Sequence, residues 1–141
     1  MRDILIEEYK DINLGELLEL YGSVGWSNYT ERPSMLEASY KNSLKALAAR
    51  DGVKLAGIIR VVGDGYSVIY VQDILVMPEY QGRGIGSALV MAVSALFENV
   101  YQKVLLTDDT EKTSEFYEKC GFSNCAELQC AAFVKFTLPK T

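Results

Sequence analysis

Glycines stand at positions 82, 84 and 86, between an apolar run that ends at Met77 and an apolar helix stripe that begins near Leu89. The first amides of a helix have no intrahelical acceptor and carry partial positive charge. Glycines let a diphosphate approach such a backbone closely, so this loop before a helix reads as an anion site. Arg83 can add a charge-assisted contact. Neither the Walker spacing nor the dinucleotide fingerprint fits, because the glycines alternate strictly and no Gly-Lys-Ser/Thr follows. A second candidate is Asp73, a carboxylate inside the apolar run Tyr66–Met77. Such a charge is costly unless it is used or paired. It is a candidate general base, acting directly or through water; ordering a neighbouring loop is the alternative.

What is missing narrows the chemistry further. The 141 residues include no histidine, which removes Ser-His-Asp and Cys-His nucleophilic machinery and most zinc and non-haem iron sites. Cys120, Cys125 and Cys130 are spaced five apart and form no Cys-x-x-Cys pair, so reduced structural thiols are expected and no metal. The net charge of −5 argues against a nucleic-acid partner, since phosphate binding relies on Lys and Arg. It mildly favours a cationic substrate through steering. No apolar run approaches the roughly 20 residues of a membrane span. The N-terminus turns acidic at Glu7 and Glu8, unlike a signal peptide, so a cytoplasmic location without membrane contact is expected.

Length and patterning supply the elements that must hold these groups. Residues 1–141 suit one domain with a sizeable core. Residues 3–8 read as a strand, and Leu14, Leu17, Leu18 and Tyr21 as the stripe of a helix. Gly22–Gly25 ends that helix and Trp26–Tyr29 continues as loop. Pro33 suits the first turn of a second helix whose face carries Leu36, Tyr40, Leu44 and Leu47. A short strand at 46–51 leads to the β-branched run Lys54–Val62 and a Gly63-Asp64-Gly65 turn. Tyr66–Met77 is so evenly apolar that it reads as a central strand covered on both faces. A helix to about Asn99 and a strand at 103–107 follow. Asp108 or Asp109 then caps a helix carrying Thr113, Phe116, Tyr117 and Cys120 on one face, and Gly121 ends it. Residues 130–138 read as a last strand, with 122–125 its partner.

Two motifs identify a family. Gln81-Gly82-Arg83-Gly84-Ile85-Gly86, after Val76-Met77-Pro78-Glu79-Tyr80, resembles the Arg/Gln-x-x-Gly-x-Gly/Ala signature of the GNAT superfamily of N-acetyltransferases. Phe116-Tyr117-Glu118-Lys119-Cys120-Gly121-Phe122 resembles its Phe-Tyr-x-x-x-Gly-Phe. The order of elements is similar along essentially the whole chain. The resemblance implies an α+β fold: a mostly antiparallel twisted sheet with a splayed strand pair, flanked by about four helices. It implies that acetyl-CoA lies in the slot between those strands. Main-chain groups of Leu75, Val76 and Met77 would bond the pantetheine arm, and amides from Gln81 to Ser87 would hold the pyrophosphate. The slot would open around Leu105 to Thr107, with Thr107 contacting the coenzyme, and Phe116 and Tyr117 would lie beside the thioester. Tyr117 matches the family's tyrosine acid. Trp26 and Tyr29 would wall the acceptor pocket. Thr110 stands where many relatives carry an asparagine that contacts the coenzyme, and Thr113 where alanine is common.

The expected activity is acetyl transfer to a primary amine, most readily of a small molecule. Acetylation of a protein or peptide, and a non-catalytic acyl-CoA sensor, are the alternatives. Homodimers are common in such folds.

Overall fold

The computed structural model describes residues 3–137. In chain order the elements are β1 (Leu5–Glu8), α1 (Leu14–Ser23), α2 (Ser27–Thr30), α3 (Pro33–Lys41), β2 (Lys45–Asp51), β3 (Lys54–Gly63), β4 (Val68–Val76), α4 (Ile85–Leu96), β5 (Gln102–Leu105) and α5 (Glu111–Lys119). The first helix starts where expected: the Asn13 side chain accepts from the Glu16 amide at 3.2 Å, and Leu17, Leu20 and Tyr21 are buried.

The five strands lie in sequence order. β1 to β4 pair antiparallel, and β5 joins β4 in parallel through the α4 crossover. α4 packs over β2, β3 and β4, while α1 packs over β3 and β4. Sandwiched between these layers, Leu55 to Val61 are all buried. The strand covered on both faces is therefore β3, whereas β4 alternates buried and half-covered positions.

Two irregularities shape the site. Arg60 pairs with Asp73 but Val61 pairs with Val71, so Gln72 is an extra residue. This bulge turns Asp73 onto the face that carries Arg60. The β4–β5 ladder runs only from Val68↔Gln102 to Val71↔Leu105. Beyond it, β4 continues to Val76 with its β5-side edge open, and this is the splayed pair that the resemblance implies.

Other expectations are corrected. The helix from Pro33 stops at Lys41, and Leu44 and Leu47 lie beyond it: the Leu44 amide donates to Val61 O at 2.9 Å as the chain enters β2. Residues 27–30 form a helical turn, giving five α-helices among the described residues. The cap of α5 is Thr110, which accepts from the Thr113 amide at 3.2 Å, and not Asp108 or Asp109. Residues 122–125 and 130–137 form no strand; Cys125–Leu128 is a 3-10 turn, and residue 138 lies outside the described residues. Strand propensity is realised only against a neighbouring strand, and no described element pairs with 130–137.

Candidate active site

Where β4 parts from β5 the surface opens into a cleft of about 350 Å³. Ile74, Leu75 and Val76 line its floor, Val24 and Trp26 one wall, Phe116 and Tyr117 the other, with Gln81 and Gly86 at the glycine-loop end. The loop is built as its spacing requires. Gly82 and Gly84 take φ values of 79° and 80°, a left-handed conformation in which a side chain is strained, and the space where a Cβ would stand is open at both. Gly84 is the N-cap of α4, and its carbonyl accepts from the Ala88 amide at 3.0 Å. The amides of Ile85, Gly86 and Ser87 precede that ladder and are directed out of the helix end. Open space over two glycines beside these amides fits a diphosphate.

The neighbouring residues brace the loop. Gln81 Nε2 donates to Val76 O at 2.9 Å across the open edge of β4. The Tyr80 hydroxyl donates to Asp51 at 2.6 Å, and the Arg83 guanidinium lies 5.2 Å from the Tyr80 ring centroid. Arg83 also donates to Glu79 O and lines a separate hollow with Asp3 and Ile4, on the outer side of the loop rather than in the cleft. Met77 and Leu75 are corrections: the Met77 amide is committed to Ala56 O of β3 at 2.8 Å, and Leu75, two residues earlier and paired with Ile58, turns its main-chain groups to β3 likewise, so the main chain of neither faces the slot. The Thr110 hydroxyl is spent on capping α5.

Phe116 and Tyr117 meet edge to face, 4.9 Å apart. Burial pushes the Tyr117 phenol up from its ordinary value, the Thr107 side chain opposing this. Cys120 is half-buried on the same helix face; burial raises its thiol and the Ser87 side chain works against that shift. Trp26 lines the cleft as expected, but Tyr29 does not: it lies behind Trp26, ring centroids 6.3 Å apart and stacked, with its hydroxyl directed inward.

That hydroxyl belongs to a buried polar network centred on Asp73, 3% exposed. Arg60, 5% exposed, donates to Asp73 Oδ2 through Nε at 3.0 Å and an Nη at 2.8 Å. The Tyr21 hydroxyl donates to the same oxygen at 2.8 Å, and Tyr29 to Oδ1 at 3.0 Å. The Tyr21 and Tyr40 hydroxyls are 2.7 Å apart, and the Arg60 guanidinium lies 5.3 Å from the Tyr40 ring centroid. Burial drives the Tyr21, Tyr29 and Tyr40 phenols upward. Burial alone would lower Arg60, but the Asp73 carboxylate more than offsets it and leaves the guanidinium raised. Asp73 thus points into the layer of α1 to α3, with both oxygens engaged, and does not line the cleft. Pairing, not exposure as a base, is how this buried charge is accommodated. Sequence reading missed Arg60, Tyr21 and Tyr40 as members of this network. The signal for Arg60 was present: it is the one charge in the apolar run Leu55–Val62.

Among the described residues no cluster of His, Cys, Asp and Glu could hold a metal ion, and no helix is long and apolar enough to cross a membrane.

Comparison with known proteins agrees with this geometry. Residues 17–138 match the family model described as acetyltransferase (GNAT) domain. A GNAT-family acetyltransferase structure from Streptococcus pneumoniae superposes with a TM-score of 0.87 at 38% identity, covering 96% of this chain and 98% of that one. An uncharacterised N-acetyltransferase of Pyropia yezoensis is 30% identical over 127 residues, 86% of this chain and 71% of its own length. A GNAT-family acetyltransferase from Brucella melitensis, solved in complex with acetyl-CoA, shares the fold at 20% identity with a TM-score of 0.67, over 89% of this chain and 86% of that one. With the family model spanning most of its length and a close fold relative matching it end to end, the chain belongs to the GNAT family and is an N-acetyltransferase.

Proposed function

We propose that this chain, acting in the cytoplasm as one domain over residues 1–141, acetylates a primary amine of a small molecule from acetyl-CoA by direct attack in a ternary complex. The observation that carries the reading is the cleft itself, opening where β4 leaves β5 and running from the glycine loop to Tyr117. Its volume of about 350 Å³, closed by walls on two sides, suits the arm and acetyl group of the coenzyme.

Acetyl-CoA supplies an acetyl group activated as a thioester. The amides of Ile85, Gly86 and Ser87 hold its diphosphate at the start of α4, and the open edge of β4, whose outward main-chain groups are those of Ile74 and Val76, takes the extended arm much as it would take another strand. Phe116 and Trp26 exclude water from opposite sides. Attack by the neutral amine forms the C–N bond and breaks the bond to sulfur; the nitrogen gives up one proton to solvent water, the departing thiolate takes one from Tyr117, and solvent returns a proton to the phenolate. Tyr117 holds its proton on the phenol oxygen, at the wall of the cleft, and burial keeps it there. Asp73 acts as a positioning residue: through Tyr29 and Tyr21 it fixes the ring of Trp26, which contacts both tyrosines.

An alkyl ammonium of pKa about 10.4 is neutral only to about one part in a few thousand at pH 7. The rate with an alkylamine is therefore expected to rise with pH as the free amine accumulates. Because Tyr117 is raised above its ordinary value of 10.0, it stays protonated across this range. The profile of kcat/KM should then show no falling limb below pH 10; a decline centred near pH 8 would contradict the acid assignment.

The reading is tested by incubating the protein with radiolabelled acetyl-CoA, a panel of small amines and a cell lysate. Label on a small amine is expected. Label on protein alone would overturn the small-molecule assignment, and coenzyme binding without turnover on any acceptor would turn the reading toward a sensor.

A further inference from the structure

The glycine loop is entered through a residue that the chemistry of the cleft leaves unused. Tyr80 closes the 3-10 turn Pro78–Tyr80, one position before Gln81, and its ring is buried. The hydroxyl is turned to the end of β2, where it donates to Asp51 Oδ2 at 2.6 Å. Asp51 is the last residue of that strand and pairs across the hairpin with Lys54, the first of β3.

The hairpin is shaped to meet the loop. Ala49 pairs with Gly57 but Arg50 pairs with Leu55, so Ala56 is an extra residue. A bulge of this kind bends its strand and strengthens the local twist. Beyond it Asp51 comes within reach of Tyr80, and the Ala56 carbonyl itself accepts from the Met77 amide at 2.8 Å. Gly57 follows, and a Cβ there would stand 3.1 Å from Leu75 O and 3.5 Å from Ile85 Cγ2. Ile85, the first residue of α4, is buried over that gap. Both ends of the glycine loop, Tyr80 and Ile85, therefore rest on the same hairpin. Between them the left-handed turn at Gly82 folds the chain back, so that the Arg83 guanidinium lies 5.2 Å from the Tyr80 ring centroid. The other tie to the hairpin, Lys54 Nζ to Glu79 Oε1 at 3.5 Å, joins exposed side chains and contributes little.

We propose that Asp51 is a positioning residue for the coenzyme: through the Tyr80 hydroxyl it holds the glycine loop in the conformation whose amides receive a diphosphate. The inference rests on the reading of that loop as part of the acetyl-CoA site. Glycines at 82 and 84 make the segment easy to bend. Without the tie the loop populates other arrangements, and the observed affinity falls with the fraction that stays competent. The effect is confined to the half of the coenzyme that the loop touches, because the arm meets the edge of β4, which the Asp51–Tyr80 bond does not hold.

Calorimetric titration with CoA and with pantetheine, which lacks the diphosphate, separates the two halves. Asp51→Ala and Tyr80→Phe are each expected to weaken CoA by about tenfold, the scale of one hydrogen bond to a charged group, and to leave pantetheine unchanged. Asp51→Asn keeps an acceptor oxygen and should recover most of the loss. Tyr80→Phe keeps the buried ring, so it decides alone should Asp51→Ala fail to fold. Where pantetheine gives no heat, the CoA affinities of Tyr80→Phe and Asp51→Asn decide. Unchanged CoA affinity in Tyr80→Phe, equal weakening of CoA and pantetheine, or no recovery in Asp51→Asn would each overturn the role of Asp51 while leaving the coenzyme site intact. Folded wild-type protein that binds no CoA would overturn the coenzyme reading itself, and this inference with it.

Discussion

Asp73→Ala is expected to destabilise the folded protein by about 3–5 kcal/mol, the cost of leaving a buried charge without its partner. The change strands Arg60, 5% exposed, and removes the acceptor from the Tyr21 and Tyr29 hydroxyls. Urea unfolding measures it directly. The informative comparison is the double variant Arg60→Met, Asp73→Leu, because replacing a buried ion pair by apolar residues of similar volume is often neutral. Recovery of stability and of turnover together would show that Asp73 acts by holding the α1–α3 layer behind Trp26. A double variant that folds well but has lost kcat, with KM for acetyl-CoA unchanged, would instead return Asp73 to the chemistry.

Tyr117→Phe is expected to lower kcat by roughly 10²–10⁴-fold, the range for removing a positioned proton donor. The ring remains against Phe116 and Phe122, so folding and coenzyme affinity should change little. Steady-state release of CoA thiol against acetyl-CoA concentration separates the two effects. An unchanged kcat would remove Tyr117 from the mechanism. The size of the loss should depend on the leaving thiolate, so a thioester with a more acidic thiol should narrow the gap between Tyr117→Phe and wild type.

The parts of the site legible in the sequence were those whose chemistry is local. Gly82 and Gly84 announce a backbone that only glycine adopts freely, and the helix after them follows from its stripe. The Phe116-Tyr117 pair and the Gly121 stop, at φ 93°, are likewise short-range features. What escaped depends on register. One extra residue at Gln72 decides which face Asp73 occupies, and its partner Arg60 is thirteen positions away on another strand. No periodicity in Tyr66–Met77 carries that information. The evenly apolar look of that run also misplaced the doubly covered strand, which is β3 because α1 and α4 both cross it. At Thr110 two adjacent aspartates competed as caps, and the hydroxyl next to them won by standing three residues before the Thr113 amide. Residues 130–137 failed for a different reason: strand composition describes a segment, while a strand requires a neighbour.

Calorimetric titration with acetyl-CoA tests the central claim most directly, namely that the amides at the start of α4 and the open edge of β4 hold this coenzyme. Saturable binding at one site per chain is expected, with Gly84→Val weakening it at least about tenfold, since a side chain in the left-handed conformation costs roughly 1–2 kcal/mol and fills the space left for the diphosphate. No heat of association with either acetyl-CoA or CoA, in protein shown to be folded, would contradict the account.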